Sequence, residues 1–127
     1  MDGGVRTEFV ASERYQGPPG IMHGGLVTTL ADEIAAYAVI SETGLFGFTV
    51  SLEARFKKPI RVLKPIEGLG RVSRNVRRLV TVDVTLAQAG ELCFEGKLKF
   101  ALLDEKAAEQ LLGGPLPDSW RSYARRA

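Results

Sequence analysis

The sequence predicts an α+β fold in which one long apolar helix is covered by one antiparallel sheet that curls around it. Three observations carry this expectation. Residues 24–41 form a single run of helix length that is apolar on almost every face, and from Leu45 onward the pattern changes to alternation with period two. The element order is one extended segment, the helix, then four extended segments, so one helix and one sheet must bury each other. At 127 residues the chain has the size of one domain around one core. With 45% hydrophobic and 25% charged residues, global disorder is excluded.

The elements follow in chain order. Past a loose start over residues 1–4, residues 5–15 mix β-branched, aromatic and polar side chains and suit an edge strand or an extended arm. Gln16-Gly17-Pro18-Pro19-Gly20 can neither continue a strand nor start a helix, and reads as a structured loop. In the helix, Leu26, Val27, Leu30, Ala31, Ile34, Ala35, Tyr37, Ala38 and Val39 leave hardly a polar face, which predicts burial all round, and Gly44 ends it. Residues 48–58 and 66–77 are two strand candidates separated by the proline-bounded stretch 59–65.

Val80, Val82, Val84 and Leu86 alternate with Leu79, Thr81, Asp83 and Thr85, while Leu92, Phe94, Leu98, Phe100 and Leu102 alternate with polar neighbours. Ala89-Gly90 lies between these runs, so they should form an antiparallel hairpin. Asp104 can cap a short helix reaching Leu112 and ending at Gly113-Gly114, and this helix opens a peripheral tail from about residue 104. Residues 1–127 are therefore expected to form one domain, without internal repeats.

Composition narrows the function. Seventeen Lys and Arg against fifteen Asp and Glu leave too small a surplus for a dedicated nucleic-acid binder. A lone Cys93 forms no internal disulfide, and with one His the chain has too few soft ligands for a zinc site, so no metal and no cofactor is expected. The longest apolar stretch is shorter than a bilayer span and carries Asp32 and Glu33, and no leader pattern is read. A cytoplasmic protein without a membrane segment is expected.

Two carboxylates in an apolar helix demand hydrogen bonds, a charge partner, a cavity or solvent. Just before them stands His23-Gly24-Gly25, whose glycines let a ligand approach the unpaired N–H groups of a helix start, where the dipole also favours an oxyanion. Nine positions separate His23 from Asp32, about 900° of rotation and ~13 Å of rise, so the two point to opposite faces. For Asp32 to work beside the glycine turn, the two must come from different subunits, as a two-fold dimer allows.

The motif Pro19-Gly20-Ile21-Met22-His23-Gly24-Gly25, the helix bearing Asp32 and a following strand that ends in Lys58-Pro59 together resemble the hotdog-fold acyl-CoA thioesterases. The phenylacetate-degradation subfamily, the PaaI type, is most similar. The resemblance covers roughly residues 5–103 in element order and is motif-like from Pro18 to Glu33. It implies a helix wrapped by a curved antiparallel sheet, assembly into dimers or dimers of dimers, and metal-free hydrolysis of an acyl-CoA thioester to the free acid and coenzyme A.

By motif position it implies Gly24 N–H as oxyanion donor, His23 as the residue beside it, Asp32 as general base or nucleophile, and Thr49 as the hydroxyl that holds the carboxylate or the attacking water. Many relatives carry an Asn six residues before the histidine; this chain has Gly17 there, and Gln16 is the candidate substitute for alignment. Thioester hydrolysis needs a stabilised oxyanion and an activated water or carboxylate, which this inventory supplies.

Other residues are read more plainly. Glu33 points about 100° from Asp32 and is taken as a subunit-contact or solvent-facing charge. Cys93 lies mid-strand without a second histidine to activate it and is taken as structural. Arg71, Arg74, Arg77 and Arg78 form a basic run, with Lys57, Lys58, Arg61 and Lys64 on the preceding segment. They form a solvated surface or hold the phosphates of coenzyme A, for which Arg74 and Arg77 are chosen. The rival functions are a non-catalytic acyl-CoA sensor on the same fold and a hotdog enoyl-CoA hydratase or dehydratase; nucleic-acid binding ranks last.

Overall fold

The computed structural model describes residues 4–115 and 117–121. In chain order they form β1 (Gly4–Val10), a 3-10 turn (Glu13–Tyr15), α1 (Gly24–Thr43), β2 (Gly47–Phe56), β3 (Pro65–Val76), β4 (Leu79–Gln88), β5 (Glu91–Leu102), α2 (Glu105–Leu112) and α3 (Asp118–Arg121). All pairings are antiparallel, and the sheet order is β1-β3-β4-β5-β2, with β1 and β2 at the edges. Helix α1 packs against every strand, so the sheet wraps it as the α+β reading expects.

Alternation chooses the buried face. Val80, Val82, Val84 and Leu86 of β4 and Phe94, Leu98 and Phe100 of β5 are buried, and they meet Val27, Ala31, Ile34, Ala35, Ala38 and Val39 of α1. The hairpin β4–β5 turns through Ala89 (φ 50°) and Gly90 (φ 77°), the two left-handed residues that match strand twist. Helix α1 stops at Gly44, which is left-handed and donates its N–H to Ile40 O at 2.8 Å. Asp104 caps α2 through Ala107 N–H at 2.7 Å, and Gly113 ends it.

Two glycines of β3 set how closely the helix approaches. A Cβ at Gly68 would stand 2.5 Å from Ile34 Cδ1, and one at Gly70 would stand 2.9 Å from Ile34 Cγ2. The variant Gly70→Val is expected to lose about 1–3 kcal/mol of stability by overpacking. A shifted urea midpoint measures it, and an unchanged midpoint would show that α1 is not seated there.

The structure corrects three expectations. Residues 5–15 are not one strand: β1 ends at Val10, because Ala11 is buried with its carbonyl taken by Leu63 N–H at 2.8 Å, and Ser12 caps the 3-10 turn. Helix α1 is not buried all round in the single chain. Its buried residues form the stripe facing the sheet, while Tyr37 is 62% exposed and Leu26 37%. The tail carries a short helix, α3, that the sequence pattern did not suggest. Of the expected loose start, residues 1–3 lie outside the described residues, as do 116 and 122–127 of the tail. No described helix is long and apolar enough to cross a membrane.

Candidate active site

The loop before α1 is tied to its surroundings by backbone bonds. Gly17 N–H donates to Ile21 O at 2.8 Å, Met22 N–H to Ile60 O at 2.7 Å and His23 N–H to Tyr15 O at 2.7 Å. These bonds fix His23 at the helix start, where its Nδ1 accepts the Gly25 N–H at 3.0 Å. An imidazole that accepts at Nδ1 carries its proton on Nε2, so His23 presents a donor to the space beyond. A Cβ at Gly25 would lie 3.1 Å from His23 Cε1, which is why glycine suits that position.

The Gly24 N–H has no acceptor among the described residues, whereas the Leu26 and Val27 N–H groups both donate to His23 O at 3.0 Å. It therefore offers one unpaired donor at the positive end of the helix dipole. A Cβ at Gly24 would lie 3.7 Å from the Phe56 ring, so an apolar wall flanks this donor. Phe56 escaped the sequence reading, because an aromatic residue at a strand end carries no signal of its own.

Asp32, half-buried, accepts a hydrogen bond at Oδ1 from Thr49 Oγ1 at 2.6 Å. The contact is short, as a hydroxyl donating to a carboxylate should be, and Oδ2 has no protein partner among the described residues. A β-bulge makes the contact possible. Leu52 pairs with Leu98, yet Thr49 pairs with Phe100, so the register slips at Val50 and Thr49 joins the inward face.

The remaining candidates sit elsewhere. Gln16 Oε1 accepts the Gly20 N–H at 2.9 Å and so braces the loop. A Cβ at Gly17 would lie 3.5 Å from His23 Cα and 3.6 Å from its Cδ2, so position 17 itself borders the histidine. Glu33 is exposed and lines, with Arg6, Leu30 and Tyr37, a groove of about 490 Å³ between α1 and β1. Arg74 and Arg77 line one hollow of about 520 Å³ with Arg78 and Lys99. Arg78 is tied to Asp104 at 3.5 Å, whereas Arg74 and Arg77 have no carboxylate partner among the described residues. Cys93 is buried, and its thiol makes a weak contact with Glu91 O at 3.5 Å.

Beside the Asp32–Thr49 pair lies an apolar hollow of about 460 Å³, lined by Ala36, Ile40, Phe48, Phe100, Leu103 and Leu112 among others. Ala36 follows Asp32 by one helical turn, and Phe100 is the register partner of Thr49. At the opposite end of β2, Lys58 and Glu91 pair at 2.7 Å in solvent. Their hydrogen bond and mutual charge raise the Lys58 pKa and lower that of Glu91.

A helix wrapped by a five-stranded antiparallel sheet defines a hotdog protein, and here the helix starts on an unpaired N–H and carries a hydroxyl-held carboxylate in its middle. The chain belongs to the thioesterase superfamily, whose family model matches residues 19–94. It is 29% identical over 98 residues to acyl-coenzyme A thioesterase 13 of Homo sapiens, covering 75% of this chain and 70% of that protein.

Among solved structures, a thioesterase superfamily protein is 30% identical at a TM-score of 0.73 over 79% of this chain; the match spans 49% of that protein's length. The acyl-CoA hydrolase of Staphylococcus aureus, solved in complex with butyryl coenzyme A and coenzyme A, shares the fold at a TM-score of 0.79 and 21% identity, over 84% of this chain and 69% of that one.

Proposed function

We propose that this chain is an acyl-CoA thioesterase, working as one cytoplasmic hotdog domain in a homo-oligomer whose active sites are shared between subunits. The observation that carries the reading is the Asp32–Thr49 hydrogen bond of 2.6 Å on the same helix whose start leaves the Gly24 N–H unpaired. The relative named acyl-coenzyme A thioesterase 13 supports the substrate class.

In this reading the thioester carbonyl oxygen accepts from Gly24 N–H of one subunit, beside His23, and Asp32 of the other faces the carbonyl carbon. Asp32 takes a proton from water as the water oxygen bonds to that carbon, or attacks the carbon itself and is released by water afterwards. Collapse of the tetrahedral adduct breaks the carbon–sulfur bond and releases coenzyme A as a thiolate, which needs little acid assistance. The apolar hollow beside Asp32 takes the acyl chain, and Arg74 and Arg77 hold phosphate oxygens of coenzyme A.

A panel of acyl-CoA esters with thiol-release detection tests the function. Release above the uncatalysed rate is expected. Binding of coenzyme A without release would instead indicate a sensor, and turnover of an enoyl ester without thiol release a hydratase. For the nucleotide site, Arg74→Ala or Arg77→Ala should raise KM for acyl-CoA several-fold and leave KM for the corresponding pantetheine thioester near the parent value. Equal effects on both substrates would remove the phosphate role.

A further inference from the structure

The apolar hollow beside Asp32 has a direction. Counted from Asp32, Ala36 and Ile40 stand one and two turns further along α1, about 6 and about 12 Å of rise, and both line the hollow. On the sheet side it runs from Phe100, the register partner of Thr49, to Gly47 and Leu103. Both walls lead away from the carboxylate and toward α2, which follows β5 directly and lends Leu111 and Leu112 of its last turn to the far end. Every described residue that lines the space is apolar.

Helix α2 is held at its first half. Asp104 Oδ1 accepts the Ala107 N–H at 2.7 Å, its Oδ2 lies 3.5 Å from Arg78 Nη2, and Ala108 is buried against Phe46 and Leu103. Past Ala108 no residue of α2 is buried: Leu111 is 58% exposed and Leu112 60%. Gly113 is left-handed, donates its N–H to Glu109 O at 2.9 Å, and stops the helix just beyond them. Two leucines that line an apolar hollow and remain more than half exposed offer surface that an alkyl chain in the hollow would cover. Helix α2 also lies outside residues 19–94, the stretch that the family model matches, so this end of the hollow is not part of the shared pattern.

We propose that the last turn of α2 is the end wall of the acyl pocket, and that Leu111 and Leu112 set the length of chain the site takes. This rests on the reading of Asp32 as the group that faces the thioester carbon. An extended chain covers about 1.2 Å per bond, so the ~12 Å from Asp32 to the level of Ile40 takes an alkyl chain of about ten carbons. Shorter chains leave the two leucines uncovered, and longer ones meet them end on. The lining holds no partner for a charged or hydroxylated acyl group, which makes a plain alkyl chain the occupant.

The test is calorimetric binding of S-alkyl coenzyme A thioethers of rising chain length, which have no carbonyl and do not turn over. In the wild type each added methylene should tighten binding about fourfold until about ten carbons, and no further. Leu112→Trp should bring that break forward by about two to four carbons, and Leu111→Ala combined with Leu112→Ala should move it to chains longer by a similar number. Gln110→Ala, exposed on the same helix and outside the lining, should leave the break in place.

A wild type that binds none of the series, or binds ever more tightly without a break, would overturn the inference, as would a break that stays in place in the Trp variant or the double Ala variant. Should Leu112→Trp be unfolded by circular dichroism, the double Ala variant decides: a break at longer chains upholds the wall, and an unmoved break overturns it. Thiol release from the matching thioesters is measured alongside. Thioethers that bind with the expected break while no thioester is cleaved would remove the thioesterase reading alone, and cleavage with an immovable break would remove the wall alone.

Discussion

Replacing Asp32 by Asn is expected to lower kcat at least about a hundredfold while leaving the fold and substrate binding intact. The two side chains have the same shape, and the carboxamide oxygen of Asn can accept the Thr49 hydroxyl in place of Oδ1, which now receives it at 2.6 Å. What disappears is the negative charge and the ability to take a proton or attack a carbonyl. A hundredfold loss corresponds to about 2.7 kcal/mol of transition-state stabilisation, the scale of acid–base assistance. Steady-state thiol release, with coenzyme A affinity measured separately, checks it. Glu33→Gln, on the groove beside β1, should turn over near the wild-type rate. Near-normal turnover in Asp32→Asn would defeat the assignment.

Activity is also expected to return when two inactive variants are combined. Subunits carrying His23→Ala and subunits carrying Asp32→Asn each spoil every site in their own homodimers. In a hybrid dimer one shared site receives His23 from one chain and Asp32 from the other, both intact, and its companion receives both changes. Random exchange makes about half the dimers hybrid, so about a quarter of the wild-type sites should reappear. Exchange is verified by mass and each variant is confirmed folded and inactive alone. Activity that stays at the level of the separate variants after complete exchange would show that His23 and Asp32 do not serve one site across subunits.

Much of the fold could be read in the sequence because its signals are periodic or punctuated. The alternation of β4 and β5, the Ala89-Gly90 turn and the Gly44 and Gly113 helix ends each sit where the pattern places them. The end of β1 was not legible, since Ala11 is held by a backbone bond from Leu63, far away in sequence. Nor was the half-open state of α1: a sequence records which helix faces are apolar, not which neighbour covers each one. At the site, glycine chemistry and the helix dipole pointed to the start of α1 as a place for an oxyanion, and the family motif singled out the Gly24 N–H. Thr49 is different. Plain alternation groups Phe48, Val50, Leu52, Ala54 and Phe56 on one face and sends Thr49 outward with Ser51, Glu53 and Arg55, so only the family motif pointed to it.

The bulge at Val50 therefore records a choice between two arrangements of the same strand. A regular β2 would turn Val50 toward the helix and Thr49 away from it. The arrangement adopted leaves Val50 49% exposed and gives Asp32 its hydroxyl. In the mechanism proposed above, stability and activity pull in opposite directions at this one residue. Substitutions that make the helix apolar at position 32 and let the strand straighten should yield a firmer and inert protein, the usual outcome when a local rule is broken for the sake of function. Selection for robustness alone would be expected to erase the bulge before it touched any other part of the sheet.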